Sequence, residues 1–130
     1  MEKLQVGNHE VVFEYKMEKG FVKGTLYSNF IDLSIAQKLT EYRVKFQKGK
    51  KYPLLSDIKT IKKSTKAARD FMASEEGCEG VIAAAVLIDS PIGSVIINFF
   101  IRVSKPLRLT KIFTNEEDAK EWLSQFVMKD

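Results

Sequence analysis

Apolar and polar residues alternate near the start of the chain. The apolar positions are Val11, Phe13, Tyr15 and Met17. This period of two is typical of a strand with one buried face. Glu18-Lys19-Gly20 then forms a predicted hairpin loop, and the extended segment Phe21 to Tyr27 is expected to pair antiparallel with the first strand.

A period of three to four residues follows and predicts an amphipathic helix. Its apolar stripe consists of Ile35, Leu39, Tyr42 and Phe46. Asp32 and Ser34 are the two candidate N-caps of this helix. Ser34 to Gln37 also matches a capping box. Gly49 is expected to end this helix.

The middle of the chain predicts a strand, a helix and a second strand. Tyr52 to Ile58 is a short apolar strand. Ser64 or Thr65 then caps a helix that ends near Gly77, with Ala68, Phe71 and Met72 facing inward. The continuous apolar run Gly80 to Ile88 is rich in β-branched residues and predicts a central parallel strand covered on both faces.

The last part of the chain predicts two helices around a short strand. Pro91 opens a helix that ends at about Ser104, before Pro106. Lys111 to Thr114 is a strand, and Asn115 caps a final helix. The inward face of that final helix consists of Ala119, Trp122, Leu123 and Phe126.

The helix Ile92 to Ser104 is apolar beyond one stripe. Val95, Ile96, Phe99, Phe100 and Val103 share the face expected to contact the sheet. Ile97 and Ile101 lie outside it, beside a polar edge with Asn98 and Arg102. A partner, a sister subunit, an apolar ligand or flanking loops could cover these isoleucines. The candidate interface or ligand residues are Ile97, Asn98, Phe100, Ile101 and Arg102.

The element order is therefore ββαβαβαβα, without repeats or linkers. It predicts one α/β domain over residues 1–130, with a mixed, mainly parallel sheet, right-handed crossovers and an antiparallel N-terminal edge strand.

Composition favours a folded soluble chain, since 45% of residues are hydrophobic and 29% are charged. The longest uncharged stretch, Ser90 to Ile101, has twelve residues, and a bilayer span needs about 20. The start resembles no secretory signal, and the single Cys78 cannot form an internal disulfide. We therefore expect a cytoplasmic protein without a membrane span.

The net charge of +4 is unevenly distributed. Residues 48–69 hold eight Lys or Arg against Asp57 alone, a net charge of +7. Such a surface can attract a phosphate, an acidic partner or a nucleic acid. It can equally be a solvated helix with its loops, and the missing interleaved aromatic residues disfavour nucleic acid.

Candidate chemistry is sparse. His9 has no neighbouring nucleophile, and Cys78 lies between Glu76 and Glu79, which disfavour its thiolate. Glu75, Glu76 and Glu79 form an acidic cluster without a transition-metal pattern. We therefore expect no enzyme, no cofactor and no metal site.

The element order, together with the acidic cap and Trp in residues 113–123, resembles the STAS fold of anti-sigma-factor antagonists. Asp57-Ile58 and Ala68-Arg69-Asp70-Phe71 are similar to motifs of the bacterial STAS/SEC14-like proteins. Glu75-Glu76-Gly77 with Asn98-Phe99-Phe100 resembles a small bacterial family in that group. The resemblance implies a phosphoacceptor at Ser64 to Ala67, although the glycine that follows the family's phosphoacceptor is missing.

The start of the helix after Ser64 is also a candidate anion site on physical grounds. Backbone N–H groups and the helix dipole there favour an anion. The candidate anion or phosphoacceptor residues are Lys62, Lys63, Ser64, Thr65 and Lys66. Ser64 or Thr65 can equally serve only as an N-cap, which contributes about 1 kcal/mol.

Three functions follow as hypotheses. The first is a non-enzymatic regulatory or protein-interaction module of STAS type, a homodimer that self-associates through Ile92 to Ser104. The second, suggested by the SEC14-like resemblance, is binding of a small amphipathic or lipid-like ligand. The third is nucleic acid or anion binding by the surface from Lys48 to Arg69.

Overall fold

A computed structural model describes residues 1–89 and 108–128. The strands are β1 (Glu2–Val6), β2 (His9–Glu18), β3 (Phe21–Tyr27), β4 (Phe30–Ile31), β5 (Tyr52–Asp57), β6 (Lys63–Ser64), β7 (Val81–Leu87) and β8 (Thr110–Phe113). The helices in these residues are α1 (Leu33–Gln47), α2 (Lys66–Ala73) and α3 (Glu116–Ser124).

Six of these strands form one mixed sheet in the order β1-β2-β3-β5-β7-β8. The β1–β2 and β2–β3 pairs are antiparallel, whereas β3, β5, β7 and β8 run parallel to one another. The short strands β4 and β6 pair separately. The predicted fold class is confirmed, and β1 is an additional antiparallel edge strand that the sequence pattern did not indicate.

The apolar run Gly80 to Ile88 is an interior parallel strand, as predicted. It forms β7, which lies between β5 and β8. Its residues alternate between fully and partly buried along the strand. This alternation shows that the two faces of the sheet are covered to different extents.

The two faces of the sheet carry different helices. Helices α1 and α2 contact each other, and α1 contacts β2 on what we call the groove face. Helix α3 contacts β5, β7 and β8 on the opposite side, the α3 face. Strand register assigns Leu54 and Ala84 to the groove face and the adjacent Leu55 and Ala85 to the α3 face.

Helix α1 buries Ile35 and Leu39 as predicted, but not the second half of the predicted stripe. Asp32 is the N-cap, and its carboxylate accepts a hydrogen bond from the N–H of Ile35 at 2.9 Å. Tyr42 and Phe46 remain 41% and 38% exposed, whereas Arg43 and Gln47 are buried. The buried stripe thus shifts by one residue in the second half of the helix, because Arg43 and Gln47 find hydrogen-bond partners inside the protein.

Helix α2 confirms its predicted start but not its predicted end. Thr65 is the N-cap, and its hydroxyl accepts from the N–H of Ala68 at 3.1 Å. Ala68 is buried, but Met72 is 37% exposed instead of facing the core. The helix ends at Ala73, and turns fill the residues up to Gly80.

The start of α3 confirms Asn115 as N-cap, because its side chain accepts from the N–H of Asp118 at 3.0 Å. Ala119 and Leu123 are buried as predicted. The predicted helix Ile92 to Ser104 lies outside the described residues, together with its candidate residues Ile97, Asn98, Phe100, Ile101 and Arg102. Within the described ranges, no helix is long and apolar enough to span a bilayer.

Candidate binding groove

A cavity of about 290 Å³ lies between the groove face of the sheet and helices α1 and α2. Its apolar walls include Leu39, Leu54, Ile58, Met72, Ala84 and Val86. The volume is at the lower end of the range of small-molecule pockets, about 300–1,000 Å³. We call this cavity the groove.

Small side chains on neighbouring strands leave room for the groove. Gly24 of β3 pairs with Ser56 of β5, which pairs with Val86 of β7. The Tyr15 ring lies across Gly24, where a β-carbon would stand 2.6 Å from the ring carbon Cε1. Glycine is therefore required beneath this ring.

The Tyr15 hydroxyl joins the groove floor to helix α1. It donates a hydrogen bond to the carbonyl oxygen of Leu39 at 3.0 Å. Burial raises the pKa of Tyr15 to about 12, while the nearby charge of Arg43 opposes this rise. The hydroxyl therefore stays protonated and acts as a fixed donor at neutral pH.

Arg43 closes the inner end of the groove, near the amino end of β7. Its Nη1 donates to Gln47 Oε1 at 2.7 Å and to the carbonyl oxygen of Glu79 at 2.8 Å. Its Nη2 donates to the carbonyl oxygen of Gly77 at 3.2 Å. Arg43 thereby holds the turns between α2 and β7 in place, and all the acceptors of these hydrogen bonds are uncharged.

The charge of Arg43 is buried, and the negative charge of Glu79 favours it without forming a salt bridge. Only 3% of the residue is exposed, and it forms no salt bridge in the part of the chain that the structure describes. Burial lowers the pKa of Arg43, but an arginine stays charged in proteins. Arg108, whose Nε donates to the carbonyl of Val81 at 3.0 Å, also lines this end.

The other end of the groove opens at the carboxyl ends of β5 and β7. Lys62, Lys63 and Asp89 line it and are exposed, and Lys62 pairs with Asp89 at 3.3 Å. Arg69 also lines it and donates through Nη1 to the carbonyl and the hydroxyl of Ser64, at 2.7 and 3.1 Å. We call this end the mouth.

The predicted anion residues separate into two groups. Lys62, Lys63 and Ser64 lie together at the mouth. Thr65 caps α2, and Lys66 pairs with Asp70 at 2.7 Å on the exposed side of the same helix. The sequence interpretation missed Arg43 and Arg108, and the only available signal was the spacing of four between Leu39, Arg43 and Gln47.

The remaining candidate groups are dispersed. His9 is exposed, and its ring centroid lies 5.6 Å from that of Phe30. Cys78 is buried, and its Sγ donates weakly to the carbonyl of Met72 at 3.4 Å. Glu75, Glu76 and Glu79 are exposed in the turns after α2, and no group of three possible metal ligands occurs in residues 1–89 and 108–128.

Comparisons with known proteins identify a family and one solved structure with a similar fold. The model of a family described as Domain of unknown function (DUF7793) matches residues 15–127. No curated protein matches the chain. An uncharacterized protein of the DUF3478 family from Shewanella loihica PV-4, with a SpoIIAA-like fold, superposes with a TM-score of 0.63 at 13% identity, covering 92% of this chain and 98% of that chain.

A second solved structure is a protein with unknown function from Arthrobacter sp. FB24. It shares 23% identity over 85% of this chain and 98% of that chain, with a TM-score of 0.34. The Shewanella protein shows the fold alone, and it confirms the STAS-like resemblance that the sequence motifs indicate.

Proposed function

Since the chain belongs to the DUF7793 family, whose description names no activity, we propose a function from its own geometry. It is a non-enzymatic regulatory module of STAS type that binds a small amphipathic ligand in the groove. The observation that supports this proposal is a cavity of about 290 Å³ with apolar walls and polar groups at both ends.

The polarity of the groove fits an amphipathic molecule better than a fully polar one. Leu54, Ala84 and Val86 present apolar surface along its length. Burying the apolar part of a ligand there contributes about 25 cal/mol per Å² of surface removed from water. Ser56 and Thr110 add a few hydroxyl groups among these walls, as is usual in small-molecule sites.

The other two functions predicted from the sequence stay predictions. Self-association as a homodimer depends on the predicted helix Ile92 to Ser104, which lies outside the described residues. Anion or nucleic acid binding by Lys48 to Arg69 depends on a surface of whose eight basic residues only Lys62, Lys63 and Arg69 line the groove. A cytoplasmic location remains part of the proposal.

Ligand binding in the groove is tested with a substitution that reduces the volume of the groove. Prodan, an uncharged fluorophore whose emission shifts in apolar surroundings, is titrated into the wild type and into Ser56→Leu. Ser56 lines the groove, so the larger side chain is expected to weaken prodan binding by about tenfold, equal to roughly 1.4 kcal/mol.

Ser34→Leu is the matched control, because Ser34 is exposed on α1 and does not line the groove. Its affinity for prodan is expected to equal that of the wild type. Equal weakening in both variants, or no binding by a folded wild type, contradicts the proposed function. Circular dichroism checks that each variant is folded.

A further inference from the structure

We propose that the mouth of the groove is a head-group site for an anion, so that the ligand is a single-chain amphiphile with a carboxylate or a similar anionic head. This inference rests on the proposed function, because it assigns the chemistry of a ligand in the same groove. The assignment depends on the distribution of charge around the cavity.

The lining of the groove is strongly positive. Among the described residues that line it, five are basic and one is acidic. The basic residues are Arg43, Lys62, Lys63, Arg69 and Arg108, and the acidic residue is Asp89. Since Asp89 already pairs with Lys62 at 3.3 Å, a net positive potential remains for an incoming anion.

The mouth is better suited to the anionic head than the inner end. At the inner end, both terminal nitrogens of Arg43 donate to protein acceptors, at 2.7 to 3.2 Å. At the mouth, the ammonium groups of Lys62 and Lys63 lie on exposed side chains that can turn toward a ligand. An anion held there keeps part of its hydration, which reduces the cost of burying its charge.

The apolar part of the ligand then extends away from the mouth. Ile58 and Ile88 line the groove where β5 and β7 end, and Leu54 and Ala84 continue the apolar wall toward Arg43. From Ile58 to Leu54 the strand advances by about 13 Å, at roughly 3.3 Å per residue. An extended alkyl chain of medium length therefore fits between the two ends.

The test compares two ligands that differ only in the head. Dodecanoate and dodecanol are each used to displace prodan from the wild type, below the concentration at which either forms micelles. We expect dodecanoate to bind about tenfold more tightly, since a charge-assisted hydrogen bond contributes more than a neutral one.

Two double variants locate the head-group site. Lys62→Gln with Lys63→Gln removes two charges at the mouth and is expected to abolish most of the preference for dodecanoate. Lys50→Gln with Lys51→Gln removes the same charge from exposed residues that do not line the groove. This control is expected to retain the preference.

The outcomes separate the two proposals. Equal affinity of dodecanoate and dodecanol overturns the anionic head while leaving the proposed function in place. A preference that survives the mouth variant, or that falls equally in both double variants, overturns the assignment of the head to the mouth. Failure of prodan and both ligands to bind overturns the proposed function and, with it, the head-group site.

Discussion

On the α3 face, Leu55, Ala85 and Leu123 are fully buried, whereas their neighbours Leu54 and Ala84 on the groove face remain partly exposed. Residues adjacent in sequence thus experience a filled interior on one side of the sheet and a cavity on the other. Along β5 and β7, the filled side contributes stability, and the side with the cavity retains space for a ligand.

The polar contacts of the two faces differ in the same way. At the rim of the α3 face, Glu116 Oε2 contacts the ammonium groups of Lys23 at 3.1 Å and Lys120 at 2.9 Å. Lys120 also reaches Glu18 at 3.2 Å. The two lysines and the two glutamates thus neutralise one another. Arg43 on the groove face, in contrast, donates hydrogen bonds only to neutral acceptors among the described residues.

The largest expected difference between the faces comes from truncating adjacent leucines. Leu55→Ala leaves a cavity in the filled face and is expected to lower the free energy of unfolding by about 3–4 kcal/mol. Leu54→Ala is expected to cost about half as much or less, because its side chain already borders open space. Urea unfolding of both variants measures this difference, and equal losses would mean that the groove face is as well filled as the α3 face.

A smaller difference is expected from enlarging adjacent alanines. Ala85→Leu forces a larger side chain against α3 and is expected to cost about 1–3 kcal/mol. Ala84→Leu extends into the groove, so its cost is expected to stay below about 1 kcal/mol. Thermal unfolding compares the two variants, and a loss at Ala84 as large as that at Ala85 would contradict the presence of free volume.

The smallest effect is expected from the ion pairs at the rim of the α3 face. Hydrogen bonds from Lys120 and Lys23 lower the pKa of Glu116 from its ordinary value of 4.5. Folding thus favours the charged form of Glu116, and this preference stabilises the folded protein. The stabilisation is present above pH 4.5 and is lost as the pH falls through the lower pKa that Glu116 has in the folded state.

Glu116→Gln is expected to destabilise the protein by less than about 1 kcal/mol at pH 7, because the ion pairs are partly exposed. The difference from wild type should shrink toward pH 3 in thermal unfolding experiments. Glu117→Gln is the control, since Glu117 is exposed in the same helical turn. A pH dependence that is the same for both variants would assign the effect to the helix dipole instead of the lysines.

Patterns confined to neighbouring residues predicted most of the fold. The alternation in β2, the apolar run of β7 and the caps Thr65 and Asn115 are local signals, and the structure confirms them. Strand β1 was missed because its sequence, EKLQV, has only two apolar residues. Such a short amphipathic segment becomes a strand only because β2 is available for pairing.

The groove was less accessible to prediction because its residues converge from distant parts of the chain. Arg43 is buried because it meets distant acceptors such as the carbonyl of Glu79, which lies 36 residues further along the chain. The sequence pattern instead placed Tyr42 and Phe46 inward, since aromatic residues are more often buried than arginine. Lys62, Lys63 and Ser64 were identified because a cluster of basic residues is visible without tertiary information.

The edge strand β1 has a consequence for how this protein avoids aggregation. It has five residues, and Glu2, Lys3 and Gln5 are exposed. Behind it lies β2, ten residues long and apolar on one side. Deleting β1 would turn β2 into a long border with unpaired amide and carbonyl groups, to which a strand of a foreign chain could add. Strand β1 therefore covers the backbone edge of β2 and prevents such pairing there.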